Sequence, residues 1–180
     1  MQSVQCNALL ERYPLDDLQQ ASTFGALDQS TLHWLLDEGR ISQLEPGEVL
    51  FEPGDRGDSF FVILDGSVDY YKVRDNVPVY VRSYRKGEQI GFVSTIALHD
   101  RVGRTVARER LLVLEIDSKL FYRLHQHAPT EFGVLMLNLA REMARTMRSL
   151  TDILVETKTA ERLAPTKDAT IPRTGENPKG

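Results

Sequence analysis

The sequence predicts a mainly β fold with flanking helices, an all-β sandwich or roll followed by a long C-terminal helix. Three observations carry that expectation. Apolar residues recur at helical spacing up to about Glu38, switch to a period of two from Ile41 to Asp117, and return to helical spacing from Ser118. In the middle zone, turns at Pro46-Gly47, Pro53-Gly54, Asp65-Gly66, Lys86-Gly87 and Gly91 separate short runs rich in Val, Ile, Phe and Tyr. The 180 residues are 41% hydrophobic and 27% charged, the balance of one soluble domain with a short appendage.

Residues 1–40 are expected to hold N-terminal helices. Leu9, Leu10, Leu15 and Leu18 are spaced for one, and Leu32, Leu35 and Leu36 share a face of another. Asp28 or Ser30 is placed to cap the latter, and Gly39 stands where a helix end favours positive φ. Strand candidates follow at Val49–Phe51, Phe60–Leu64, Val68–Val73, Val79–Val81 and Leu111–Ile116. Ser118 can cap a short helix through Leu124, and a second helix starts near Pro129, a residue suited to a first turn. Its apolar positions Phe132, Met136, Leu139, Met143, Met147, Leu150 and Leu154 approach a heptad seam. That stripe either packs on the β zone or forms a dimer seam. Residues 41–155 thus make the β zone with its C-terminal helices. Residues 156–180, with three prolines, no aromatics and five basic against four acidic residues, make a flexible polar tail.

Composition excludes several functions. With Cys6 as its one cysteine, the chain has no disulfide framework, zinc ribbon or four-cysteine cluster. Twenty-two basic against 26 acidic residues, a net −4, argue against general nucleic-acid binding. No apolar run nears the roughly 18 residues that cross a bilayer, and the N-terminus lacks a signal-peptide pattern, so no membrane partner and a cytoplasmic location are expected. His125-x-His127 lies on a helical segment where i and i+2 diverge, and His33 and His99 lack partners at ligand spacing, so no metal site is expected. Arg56-Gly57-Asp58 reads as a turn between strands. No Ser/His/Asp or Cys/His set declares a catalytic centre.

The informative stretch is Gly91-Phe-Val-Ser-Thr-Ile-Ala-Leu-His-Asp-Arg101-Val-Gly-Arg-Thr-Val106, which interrupts the β period. A short helical turn over Val93–Leu98 after Gly91 would offer backbone N–H groups to an anion, and Arg101 or Arg104 could supply countercharge. The alternative is an irregular connection with a solvated arginine.

Leu44-Glu-Pro-Gly47-Glu-Val-Leu-Phe51-Glu-Pro-Gly54-Asp, then Ser59-Phe-Phe-Val-Ile-Leu-Asp-Gly66-Ser-Val68, then Gly87 and Gly91 resemble the cyclic-nucleotide-binding domain family. This is the sensor type found in the catabolite activator protein and protein kinase A regulatory subunits. The resemblance runs from about Leu27 to Leu154. It implies a double-stranded β-helix (a jelly-roll-like β-roll) flanked by helices, with a phosphate-binding cassette between two strands. The family's cassette reads Gly-Glu-Leu-(Ala/Ser), then Pro-Arg-(Ala/Ser)-Ala. Gly91, Val93 and Ser94 match its start, and Arg101, ten positions after Gly91, matches the arginine that pairs with phosphate. Arg104-Thr105 is a rival pairing if the loop carries an insertion. Phe92 stands where the family has the glutamate that accepts from the ribose, and Val102 where a small residue follows the arginine. Phe92 is then expected to stack on the ligand or to fill the emptied pocket. Thr146 falls near where the family offers a threonine to the base, and its neighbour Arg145 could stack on a base; the alternative for both is the exposed polar face of a dimer helix.

The resemblance implies a stand-alone, non-enzymatic sensor of cAMP, cGMP or a cyclic dinucleotide, signalling through a protein partner or its own homodimer. With only the polar tail after Leu154, no DNA recognition by a dedicated domain is expected. A degenerate member that binds no nucleotide and serves dimerisation or docking is the alternative. A cupin-type enzyme or metal-binding barrel is a third reading.

Overall fold

The structure, a computed structural model, describes residues 1–75 and 77–163, without the side chains of 160–163. The expected polar tail beyond residue 163 lies outside the described residues. The chain falls into two compact units, Met1–Ala144 and Arg145–Gly180.

In the first unit, β1 (Gln2–Val4) precedes α1 (Cys6–Arg12), α2 (Leu15–Gln19) and α3 (Gln29–Glu38). Eight further strands follow: β2 (Arg40–Leu44), β3 (Val49–Phe51), β4 (Ser59–Asp65), β5 (Ser67–Arg74), β6 (Val77–Arg85), β7 (Gln89–Ile90), β8 (Gly103–Ala107) and β9 (Leu111–Asp117). Helix α4 (Phe92–Ala97) interrupts them after β7, and α5 (Ser118–His127) and α6 (Pro129–Leu163) close the chain. The strands form an antiparallel five-stranded sheet, β1-β2-β9-β4-β7, and a four-stranded sheet, β3-β8-β5-β6. This is the mainly β roll with flanking helices that the periodicity predicts.

The strands β4 and β9 read as nearly continuous apolar runs, broken in β9 only by Glu115, because both their faces are largely buried. Phe60, Val62 and Leu64 of β4 and Leu112, Leu114 and Ile116 of β9 face a core shared with the helices. Phe61 and Ile63, with Leu111 and Val113, face a second core that also contains Phe51, Val68, Ile90 and Ala107. Alternation thus divides one strand between two cores, each large side chain contributing about 1.5–3 kcal/mol by leaving water.

Several local readings are refined. Gln2–Val4, in a segment expected to be helical, pairs with β2 as an edge strand. Asp28 is the cap of α3, accepting from the Thr31 amide at 2.6 Å. Hydrogen bonds from Ser30 and then Thr31 hold its carboxyl below its ordinary pKa. Gly39 has φ −84°, not the positive value expected at a helix end. Glycine is needed there for space, since a Cβ would lie 2.5 Å from Leu114 Cδ1. The cap of α5 is Asp117, not Ser118, through a 2.7 Å bond from the Leu120 amide.

The apolar stripe of α6 is divided. Leu135 and Leu139 are fully buried, and Phe132, Met136 and Met143 pack partly against the same core. The expected seam is therefore core up to Met143. In the second unit, the described part of α6 exposes Met147, Leu150, Ile153, Leu154 and Val155. No helix among the described residues is long and apolar enough to cross a membrane.

Candidate anion site

The site is built where the β3–β4 loop meets the segment from β7 to β8. Gly91, with φ +96°, turns the chain out of β7 and caps the start of α4. Only glycine fits on two counts, because a Cβ there would also lie 2.4 Å from Arg101 Nη1. Helix α4 is tied to β4 by the Thr95 hydroxyl, which donates to Ser59 O at 2.7 Å.

The β3–β4 loop holds the backbone of Arg101 from both sides. The Gly54 amide donates to Arg101 O at 2.9 Å, and the Arg101 amide donates to Asp55 O at 2.8 Å. Gly57 of the same loop touches the chain two residues before Arg101, where an added Cβ would come within 2.0 Å of His99 O. A Gly57→Ala variant is therefore expected to push the loops apart and to lower the melting temperature by several degrees. Gly47→Ala has open space and bears only the left-handed backbone penalty, about 1 kcal/mol. Thermal unfolding of the two variants side by side checks this.

The side chain of Arg101 is 4% exposed. Its Nη1 donates to Gly91 O at 2.9 Å, and its Nη2 to Ser59 O at 2.5 Å and Ser59 Oγ at 3.3 Å. The guanidinium carbon lies 4.6 Å above the Phe51 ring and 5.7 Å from that of Phe61. Burial pushes its pKa down, and the more distant charges of Glu115, Asp58 and Asp55 oppose that shift. Among the described residues no carboxylate lies within ion-pair distance of it. Taking a cation out of water costs several kcal/mol, and carbonyl dipoles with ring faces repay only part of that. Two polar atoms in this neighbourhood also lack a hydrogen-bond partner, Arg101 Nε and the Thr105 hydroxyl. Thr105 is fully buried and pairs across the sheet with both Phe51 and Tyr70. Buried polar groups of this kind are usually satisfied by an ordered water or a bound ligand.

The other expected site residues fall differently. Arg104 forms an ion pair with Glu52 at 3.1 Å, although its Nε makes no directed hydrogen bond. Ser94 is buried, and its amide donates to Gly91 O. Val93 and Val102 are exposed. Arg145 and Thr146 belong to the second unit, on α6.

Phe92 is a correction. Its ring, 2% exposed, meets Phe60 edge-on at 5.3 Å and Phe121 at 6.2 Å in the core beneath the helices. It is not positioned to stack on a ligand. The histidines are likewise absorbed by packing, His127 stacking on Trp34 at 4.7 Å and His125 meeting Phe132 edge-on. A cavity of about 230 Å³ beside the loop is lined by Arg56, Gly57, Asp58, Thr95, Leu98 and His99, among others, and not by Arg101.

Sequence reasoning missed Glu142. This buried carboxylate on α6 accepts from the Ser22 hydroxyl and from the Gln89 amide at 3.3 Å. Gln89 Oε1 in turn accepts from the Phe92 amide at the start of α4. The available signal was polar spacing: Asn138 and Glu142, four apart, lie beside the core positions Leu135 and Leu139.

Residues 41–128 match the family model described as the cyclic nucleotide-binding domain. The fold is similar to a cyclic nucleotide-binding domain from Methylobacillus flagellatus KT, with a TM-score of 0.72 and 18% identity, over 79% of this chain and 83% of that one. It is also similar to the regulatory subunit of a cAMP-independent protein kinase A from Trypanosoma brucei, with a TM-score of 0.58 and 20% identity, over 78% of this chain and 53% of that one. Among curated proteins, the chain is 25% identical over 152 residues to lysophospholipase NTE1 of Chaetomium globosum. That match covers 80% of this chain but spans only 9% of the relative's length.

Proposed function

Because residues 41–128 belong to the cyclic nucleotide-binding domain family, we propose that the chain is a non-enzymatic sensor in which Arg101 receives the phosphate of a cyclic nucleotide, cAMP or cGMP, or of a cyclic dinucleotide. The observation that carries this reading is the buried guanidinium without a carboxylate partner, accompanied by the orphaned Arg101 Nε and Thr105 hydroxyl. A phosphate would draw the guanidinium from the carbonyls of Gly91 and Ser59 and supply the missing negative charge. Arg104 is the weaker candidate, being already paired with Glu52.

A second reading has its own observation. Phe92 occupies the core, and the neighbouring side chains exposed at the cassette, Val93 and Val102, are apolar, so these positions offer no acceptor to sugar hydroxyls. In that reading the fold serves dimerisation or docking without nucleotide. A similar fold in a protein described as cAMP-independent supports keeping it.

A thermal-shift panel of cAMP, cGMP, cyclic di-GMP and cyclic GMP-AMP separates the two. A ligand at about 100 times its Kd stabilises by about 2.7 kcal/mol, a shift of roughly 5–10 °C for a chain of this size. No shift with any of the four at millimolar concentration assigns the second reading.

In either reading we place self-association on the exposed positions Met147, Leu150 and Leu154, which keep the helical three-and-four spacing. Leu150→Asp with Leu154→Asp is expected to convert a dimer to monomers in light scattering. Unlike Met143, these two residues are exposed, so the first unit keeps its fold. A wild-type chain already monomeric at micromolar concentration ends that proposal.

A further inference from the structure

Strand β6 closes one side of the four-stranded sheet and, among the described residues, pairs with β5 alone. A bulge divides it: Tyr71 faces Tyr80 and Tyr70 faces Arg82, so Val81 is the extra residue. On the near side of the bulge, residues 81–84 are half-buried. Beyond it, Val77 is 59%, Val79 52% and Tyr80 54% exposed. Successive strand residues point to opposite faces, so this half of the strand has apolar side chains in water on both faces and a backbone edge that no described residue pairs. Such an edge is a template for another strand.

Charge decides which strand. Residues 67–86 carry five basic side chains (Lys72, Arg74, Arg82, Arg85, Lys86) and two acidic ones (Asp69, Asp75), a net +3 in a chain of net −4. Arg82 is paired with Glu88, and Asp69 with Arg108. Lys72, Arg74, Arg85 and Lys86 are exposed and make no ion pair among the described residues. A second copy would bring the same positive charge against this edge. The edge is therefore guarded against itself and open to negative charge.

We propose that the β6 edge is a docking strand for an extended acidic segment of a partner protein, with apolar residues at alternate positions, which adds to the sheet as a fifth strand beside β6. Its backbone would complete the ladder, its apolar residues would cover Val77, Val79 and Tyr80, and its carboxylates would meet the basic residues. The proposal is independent of whether Arg101 takes a nucleotide.

The test uses the full chain and a labelled, end-blocked octapeptide alternating valine and glutamate, followed by fluorescence anisotropy at low salt. Saturable binding is expected, weakened at least tenfold by Lys72→Glu with Arg74→Glu, and weakened also by raised salt. The same peptide with alternate amides N-methylated is expected not to bind, which mere charge attraction would not predict. Equal binding of the methylated peptide overturns the proposal, as does absence of binding at millimolar peptide. Tighter binding of a valine–lysine peptide or of a single-stranded oligothymidine also overturns it. So does self-association of the wild-type chain that the two glutamate substitutions alter, since the occupant is then a second copy.

Discussion

Arg101→Ala is expected to abolish the thermal shift given by whichever cyclic nucleotide stabilises the wild-type chain, while leaving the fold intact. Truncating one partner of a buried, hydrogen-bonded charge pair costs about 2–5 kcal/mol, or about 30-fold to several thousand-fold in affinity. The fold survives because neither released carbonyl is orphaned. Gly91 O keeps the amides of Ser94 and Thr95, and Ser59 O keeps the Thr95 hydroxyl. The variant also loses a buried cation that has no carboxylate partner, which offsets part of the lost packing. Arg104→Ala removes only an ion pair that is well exposed on both sides, and its effect is expected to stay below tenfold. Isothermal calorimetry on the two variants checks the assignment. A chain that binds without Arg101 but fails without Arg104 reverses it.

Phe92→Glu is expected to destabilise the protein strongly and not to tighten nucleotide binding. Alignment of the cassette motif suggests restoring a sugar-facing carboxylate at this position, but the ring is packed between Phe60 and Phe121. Losing a buried phenyl group costs about 3–5 kcal/mol, and burying a carboxyl group in its place adds to that. A total near 5 kcal/mol lowers the melting temperature by roughly 10–20 °C in a chain of this size. The pH dependence has a definite sign. Burial raises the folded-state pKa of the new acid, so its deficit against wild type is full above that raised value and shrinks as pH falls through it. A variant that melts like wild type at neutral pH, or that gains affinity for cAMP, would show that the side chain reaches solvent.

Why one cassette residue was readable and its neighbour was not has a physical explanation. Gly91 and Arg101 announce themselves by spacing, and the contact between them makes that spacing necessary. The direction of Phe92 depends on how α4 is rotated about its axis after a positive-φ glycine, which no periodicity over six residues reveals. The runs at β4 and β9 were legible because burial on both faces leaves Phe60–Leu64 without a polar residue and Leu111–Ile116 with only Glu115. Strands β1, β2, β7 and β8 were missed because they are short or built largely from small and polar residues, such as Gln2-Ser-Val4, Arg40-Ile-Ser-Gln-Leu44 and Gly103-Arg-Thr-Val-Ala107. The glycine turns were legible for a conformational reason: Gly47, Gly54, Gly66, Gly87 and Gly91 all have positive φ. Glu142 was hidden because a carboxylate beside an apolar stripe reads as solvated surface until its partners, Ser22 and Gln89, are known.

The central place of β9 also sets the order in which the molecule can be made. Strands β2 and β4 both hydrogen-bond to it, Ile41 facing Leu114 and Phe60 facing Ile116. During synthesis, therefore, residues 40–65 leave the ribosome long before the strand that belongs between them exists. The β5–β6 hairpin can close early, because its partners are near in sequence, but the five-stranded sheet must wait for residues 111–117. Until then the apolar run of β4 has only the two residues of β7 paired beside it, and its other edge stays open to association with other chains.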